Sequence, residues 1–198
     1  TDSGFFHLLY DGRTVGYLEM EFLHEGVPQM VLDAGWTPPP GREPHELPAS
    51  SPSRSLLALL GRLNICSKES IVRRYDHEVQ GGSVVKPFTG AGDDGPSDAA
   101  VLRPLLDSFD GIVVSNGIVP RYGDIDTYSM ACNAVDEAFR NYVAVGGDPS
   151  FAAALDNFCW CDPVESERNP DGRFKLAQLV RANRGLYDAV TAYGIPLV

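Results

Sequence analysis

The stretch Ser129–Pro149, SMACNAVDEAFRNYVAVGGDP, decides the fold. It reads as one amphipathic helix, and the Gly146-Gly147 pair supplies the left-handed turn that stops it. Met130, Ala134, Ala138 and Tyr142 recur every fourth residue and predict a buried stripe. Asn133, Glu137 and Asn141 recur at the same spacing on another face, so the oxygens of Glu137 and Asn141 lie one turn apart. Oxygens so placed suit a hard cation such as magnesium. From spacing alone, a solvated helix face is the simpler reading.

Downstream, FAAALDNFCWCDP predicts a strand that runs into Asp156-Asn157, followed by a polar loop. Arg173–Tyr193 predicts a long helix that turns Leu176, Leu179, Val180, Leu186, Tyr187 and Val190 inward, with Gly194 and Pro196 ending it. The closing IPLV has the look of a strand start, the ending expected of a fragment.

Upstream, two strands are predicted at Ala99–Leu105 and within FDGIVVSNGIV, and a third over Ser83–Phe88. The loop TGAGDDGPSD lacks the lysine of a P-loop and delivers Asp98 to a strand mouth, a usual place for a ligand-holding carboxylate. SKESIVRRYDHEV predicts a helix with Ser67 as its cap. His77, between Asp76 and Glu78, has no nucleophile at triad spacing and is assigned no chemistry. Thr37–Arg54 holds six prolines and reads as an extended connector. Before it, residues 4–23 read as two strands around Asp11-Gly12, a strong hairpin signal.

The totals bound the function. At 198 residues with 43% apolar content, the chain is long enough for one sizeable core. A net charge of −11 argues against nucleic acid or an anionic membrane as partner. No apolar run approaches a membrane span and no signal peptide pattern opens the chain, so a cytoplasmic setting is expected. Cys66, Cys132, Cys159 and Cys161 form no disulfide framework or zinc pattern and are expected to be buried thiols.

Together, SKESIVRRYDHEVQGGSVVKP, GPSDAAVLRP, AVDEAFRNYVAVGGDP and LDNFCWCDP…LVRANRGLYDAVTAYGIPLV resemble the phosphoribosylformylglycinamidine synthase family. The likeness is to the second of its two half-repeats, over about residues 67–198. It implies an AIR synthase N-terminal-like domain of α/β (α+β) class. The expected architecture is a mixed sheet of about four strands over 83–160, with the two long helices on one face. In the family such sheets pair to close a barrel, and an open edge would favour self-association. The implied layout is 1–36 as closing strands of a preceding domain, 37–54 as linker, and 55–198 as the nucleotide-binding domain, truncated at its C-terminus.

The resemblance also implies an ATP- and magnesium-dependent ligase of purine biosynthesis. Such a ligase converts formylglycinamide ribonucleotide to its amidine with ammonia from a glutaminase subunit or domain. Carried over by motif, Asp98, Glu137 and Asn141 are magnesium ligands and Asp156 contacts the nucleotide; no catalytic residue is assigned. Two alternatives stay open: a scaffold half whose nucleotide is never turned over, and another enzyme of the superfamily, such as aminoimidazole ribotide synthetase, selenophosphate synthetase or thiamine monophosphate kinase. YDHEVQGG and DNFCWCDP favour the purine synthetase. The 198 residues alone are expected to need the remainder of the polypeptide for turnover.

Overall fold

The computed structural model describes residues 2–41, 51–74 and 77–198. They form two compact units, divided between Ala34 and Gly35. Residues 42–50 of the proline-rich stretch and the Tyr75-Asp76 pair before His77 lie outside the described residues.

The first unit is a hairpin of β1 (Phe5–Tyr10) and β2 (Arg13–Glu19), followed by α1 (Met20–Glu25). Tyr10 faces Arg13 across the turn, and Asp11 and Gly12 both take positive φ (48° and 70°), the type I′ geometry that matches strand twist. The second strand ends four residues before its expected limit because the chain turns into α1. Phe5 stacks on Tyr17 at 4.6 Å, yet Phe6, Leu8, Leu9 and Tyr10 stay exposed, so this unit has no core of its own.

The second unit opens with α2 (Pro52–Leu60), capped by the Ser51 hydroxyl, and with α3 (Glu69–Val72). α3 is a single turn rather than the long helix expected over 67–79. Ser67 Oγ does accept an amide hydrogen, that of Glu69, but Lys68 holds the cap position. The strands are β3 (Ser83–Val85), β4 (Phe88–Thr89), β5 (Gly95–Pro96), β6 (Ala99–Leu102) and β7 (Ile112–Ser115). β3, β6 and β7 make one antiparallel sheet in the order β3-β6-β7, while β4 and β5 pair separately.

The α+β class is as expected, but the sheet is three-stranded and antiparallel rather than mixed and four-stranded. The glycine-rich segment that reads as a flexible loop is instead closed by the β4–β5 rungs Phe88↔Pro96 and Thr89↔Gly95. The Phe151–Trp160 segment forms no strand; it contributes only a parallel bridge between Ala154 and Leu197.

α4 (Thr127–Ala144) and α5 (Gly172–Tyr193) build the core. Asp126 caps α4 by accepting the Ser129 amide hydrogen at 3.1 Å. Contacts between the two helices advance together along both. Thr127 Oγ1 donates to the Gln178 carbonyl at 2.9 Å, Cys132 Sγ to the Gly185 carbonyl at 3.4 Å, and Phe139 meets Tyr193 at 4.6 Å between ring centres. The helices therefore run parallel. α4 lies against β7, and α5 packs chiefly on α4 rather than directly on the sheet.

The buried positions are small ones: Thr127 and Ala131 on α4, and Gly172, Ala177, Ala182, Gly185 and Val190 on α5. The expected stripes are less covered. Met130, Ala134, Ala138 and Tyr142 are half-buried, and Val180 and Tyr187 are exposed. The physical cause is the closeness of the helix crossing, which admits small side chains and pushes large ones to its flanks.

At the start of α4, Arg181 pairs with Asp126 and stacks over Trp36 at 4.1 Å. The Gly35 amide hydrogen goes to the Arg173 carbonyl at 3.1 Å, so residues 35–36 are fastened to α5. Partial burial pushes the Asp126 pKa up, but Arg181 and the Ser129 hydroxyl and amide outweigh it and hold it at about 2. A carboxyl depressed in the folded state stabilises fully above its unfolded pKa of about 3.9 and loses that contribution as pH falls toward 2. Arg181 and Ser129 together are thus worth at most about 2.5 kcal/mol. Asp126→Asn is expected to lower the melting temperature at pH 6, and the gap to the parent should close between about pH 4 and pH 2. Thermal scans across that range check it, and a gap unchanged at pH 2 would contradict it.

Candidate functional site

The site forms where the end of β7 meets the side of α4. Ser115 Oγ donates to the Ala138 carbonyl at 2.7 Å, which binds the last strand residue to the helix. The next residues, Asn116, Gly117 and Ile118, lie along the α4 face that carries Ala134, Glu137, Ala138 and Asn141. Glu137 Oε2 accepts the Ile118 amide hydrogen at 2.9 Å. Asn141 Nδ2 donates to the Asn116 carbonyl at 3.1 Å. Between them the Gly117 backbone presses on the helix so closely that a Cβ there would stand 2.0 Å from the Ala134 carbonyl oxygen.

The polar face of the helix is therefore a clamp that fixes a loop. Each clamp side chain keeps an oxygen to spare: Oε1 of Glu137, and the Asn141 carbonyl oxygen, since that amide donates through its nitrogen.

Asp98 comes to the same end of the sheet by strand register. Ala99 pairs with Ser115, so continuing the register by one residue sets Asp98 across from Asn116. The preceding Ser97 hydroxyl donates to the Ala99 carbonyl at 2.8 Å, and the Ser97 amide to the Pro87 carbonyl at 3.0 Å, so the backbone on either side of Asp98 is held. Asp98 is exposed, and its carboxylate has no partner among the described residues.

Asp156 stands two residues beyond the Ala154–Leu197 bridge, exposed, in the irregular segment before α5. The fold thus associates Asp98, Glu137 and Asn141 with one sheet end, and holds Asp156 on a separate segment. His77 lies 3.9 Å from Glu78, which is itself paired to Lys86 at 3.2 Å.

The donor chemistry fits a hard divalent cation: two carboxylates, one with no partner and one with a spare oxygen, plus an amide oxygen. No three His, Cys, Asp or Glu side chains gather among the described residues. A set built on Asp98, Glu137 and Asn141 holds only two acidic groups, leaving most of the coordination shell to phosphate and water, as magnesium prefers. A shallow cavity of about 130 Å³ under Pro104, Leu105 and Ile112 is too small for a nucleotide, which needs a few hundred Å³.

The loop residues Asn116, Gly117 and Ile118 were not among the sequence candidates. Their signal is the Asn-Gly pair at a strand end, which reads first as a turn.

Residues 96–198, which contain all four candidates, match the family described as AIR synthase related protein, N-terminal domain. The chain belongs to that family. Among curated proteins it is similar to the phosphoribosylformylglycinamidine synthase subunit PurL of Methanocaldococcus jannaschii, with 41% identity over 143 residues, 72% of this chain and 17% of the relative. It is also similar to PurL of Picrophilus torridus, with 34% identity over 149 residues, 69% of this chain and 20% of the relative. PurL of Thermomicrobium roseum matches at 33% identity over 205 residues, all of this chain and 26% of the relative. The chain spans about a quarter or less of the length of these relatives. As a member of the AIR synthase related family it carries the expected fold, and no helix among the described residues is long and apolar enough to cross a membrane.

The four cysteines depart from expectation. Cys159 and Cys161 are exposed, and Cys66 and Cys132 are only half-buried. The segment carrying the first two forms no strand and turns Phe158 and Trp160 inward in their place.

Proposed function

We propose that this chain supplies the nucleotide-binding part of a phosphoribosylformylglycinamidine synthase, the ATP-dependent ligase that makes formylglycinamidine ribonucleotide from formylglycinamide ribonucleotide and glutamine-derived ammonia. The observation that carries the reading is the clamp of Glu137 and Asn141 on the loop 116–118, beside Asp98, within the segment that matches the family. In this reading Asp98, Glu137 and Asn141 hold magnesium and Asp156 contacts the nucleotide. The cation neutralises phosphate charge when bound. The protein's part is positional: the loop fixes the two helix side chains, and the β6–β7 register brings the third ligand, the Asp98 carboxylate, to the same sheet end.

The reaction itself transfers the γ-phosphoryl group of ATP to the amide oxygen of the substrate, after which ammonia displaces phosphate. Its substrate groups and its glutaminase lie on the remainder of the polypeptide or on a partner subunit. The apolar residues Val84, Leu102, Ile112 and Val114 of the three-stranded sheet are exposed, as they would be where a companion domain packs. Residues 1–36 would then close a preceding domain, with 37–54 as connector, and the whole would work in the cytoplasm.

One observation favours the scaffold alternative: Glu137 and Asn141 already serve the fold, as residues around a permanently held nucleotide would. Nucleotide that copurifies with the chain and resists exchange would select it.

The test is equilibrium binding of ATP to the 198-residue chain. Weak binding that requires magnesium is expected, with Asp98→Ala and Glu137→Ala each weakening it by about tenfold or more. ATP binding equal with and without magnesium, or unchanged in both variants, would overturn the assignment.

A further inference from the structure

We propose that Cys159 and Cys161 form a dithiol site for soft monovalent cations, copper(I) above all. Both thiols are free and exposed. The chain runs without turn or bend from Ala154 to Pro163, and from Asn157 to Cys161 exposure alternates: Phe158 and Trp160 are half-buried, Cys159 and Cys161 exposed. Trp160 is fastened inward, its indole Nε1 donating to the Lys175 carbonyl at 3.1 Å and its ring set edge-on to Phe158 at 6.0 Å. Such alternation is that of extended backbone, in which the two neighbours of an inward residue share the solvent face.

Spacing decides what they can hold. Alternate residues of an extended chain have Cα atoms about 6.5–7 Å apart, at the far edge of the disulfide range, which ends at about 6.8 Å. Two metal–thiolate bonds of about 2.3 Å each span a sulfur gap of up to about 4.6 Å, so a bridging ion fits without shortening the chain. Softness then selects the ion, because thiolates prefer copper(I) among available metals. Structural zinc needs four ligands, and no group of three His, Cys, Asp or Glu gathers among the described residues, which leaves a two-coordinate cation.

A positive charge stands nearby. The Lys175 pKa is raised first by its hydrogen bond to Asp171, against an opposing push from burial, with a smaller upward contribution from Cys161. Binding replaces two S–H bonds by two copper–sulfur bonds and releases two protons to solvent, with no change in oxidation state.

The experiment is an anaerobic titration of the 198-residue chain with copper(I) against a colorimetric copper(I) chelator, with proton release followed by an indicator dye. One equivalent of tight binding and two protons per ion are expected. Cys159→Ser and Cys161→Ser should each weaken binding by about a hundredfold, while Cys66→Ser and Cys132→Ser leave it unchanged. Full affinity in either of the first two variants, or binding no tighter than to free cysteine, overturns the proposal. The four variants are distinguishable from failure of the nucleotide site, because none touches Asp98, Glu137 or Asn141.

Discussion

Gly185→Ala is expected to lower the melting temperature of the 35–198 unit by roughly 5–10 °C, a loss of about 2–3 kcal/mol. Gly185 is buried where α5 crosses α4, and a Cβ built there would lie 2.3 Å from the Tyr128 carbonyl oxygen and 3.0 Å from its carbonyl carbon. The obstacle is helix backbone, which cannot rotate aside as a flexible side chain would. Alanine is worth up to about 1 kcal/mol over glycine in a helix interior, so without the clash the substitution would stabilise. The helices must separate instead, which strains the Thr127–Gln178 and Cys132–Gly185 hydrogen bonds and the contact of Tyr128 Oη with Asp188, now 2.8 Å. Gly41→Ala, with nothing within 4 Å of its new methyl group, is the control. A melting temperature that holds or rises in Gly185→Ala would show that the helices have room to spare.

The second large effect falls on the site. Gly117→Ala would place a methyl group 2.0 Å from the Ala134 carbonyl oxygen and 2.8 Å from the Ala138 amide nitrogen, so the loop must lift off α4. Lifting it breaks the Ile118–Glu137 and Asn116–Asn141 contacts together. We expect a stability loss of about 2–3 kcal/mol and, under conditions where the variant stays folded, at least a tenfold loss of magnesium-dependent ATP binding. Lowered stability with binding intact would separate the clamp from the site. The comparison with Glu137→Ala is informative because that substitution removes a ligand and the Ile118 contact but leaves the loop's close approach in place.

Much of this was legible beforehand because local signals and tertiary context agree. Asp11-Gly12 marks the hairpin, Gly194 stops α5 with φ 70°, and the four-residue period finds α4 to within two residues of its start. What the sequence hid follows from contacts between distant segments. A hydrophobic stripe reads large residues as inward, whereas the close crossing of α4 and α5 buries Ala177, Ala182 and Gly185 and leaves Tyr187 outside. Asp93 at φ 48° and Gly90 at φ 91° let a glycine-rich loop fold back into the β4–β5 pair. The Phe151–Trp160 stretch has strand composition, but its one strand-like contact is the bridge of Ala154 to Leu197, made through the Pro196 carbonyl and the Val198 amide.

At the site, the spacing of Glu137 and Asn141 was visible and their partner was not. Nothing local in Ser115–Ile118 says that its backbone will be held by a helix some twenty residues on. The same holds for Arg181, which reaches Asp126 and Trp36 from far away in sequence.

The most direct test of the account is paramagnetic broadening in the amide spectrum of the isotope-labelled chain, with manganese(II) replacing magnesium in the presence of ATP. Weak binding is enough, since a small bound fraction suffices to broaden nearby signals. Amides flanking Asp98, Ile118, Glu137 and Asn141 should broaden first, recover on addition of excess magnesium, and stay sharp in Glu137→Ala. Broadening centred on the acidic stretches at 107–110 or 162–171, or broadening at the α4 site that Glu137→Ala leaves unchanged, would contradict it.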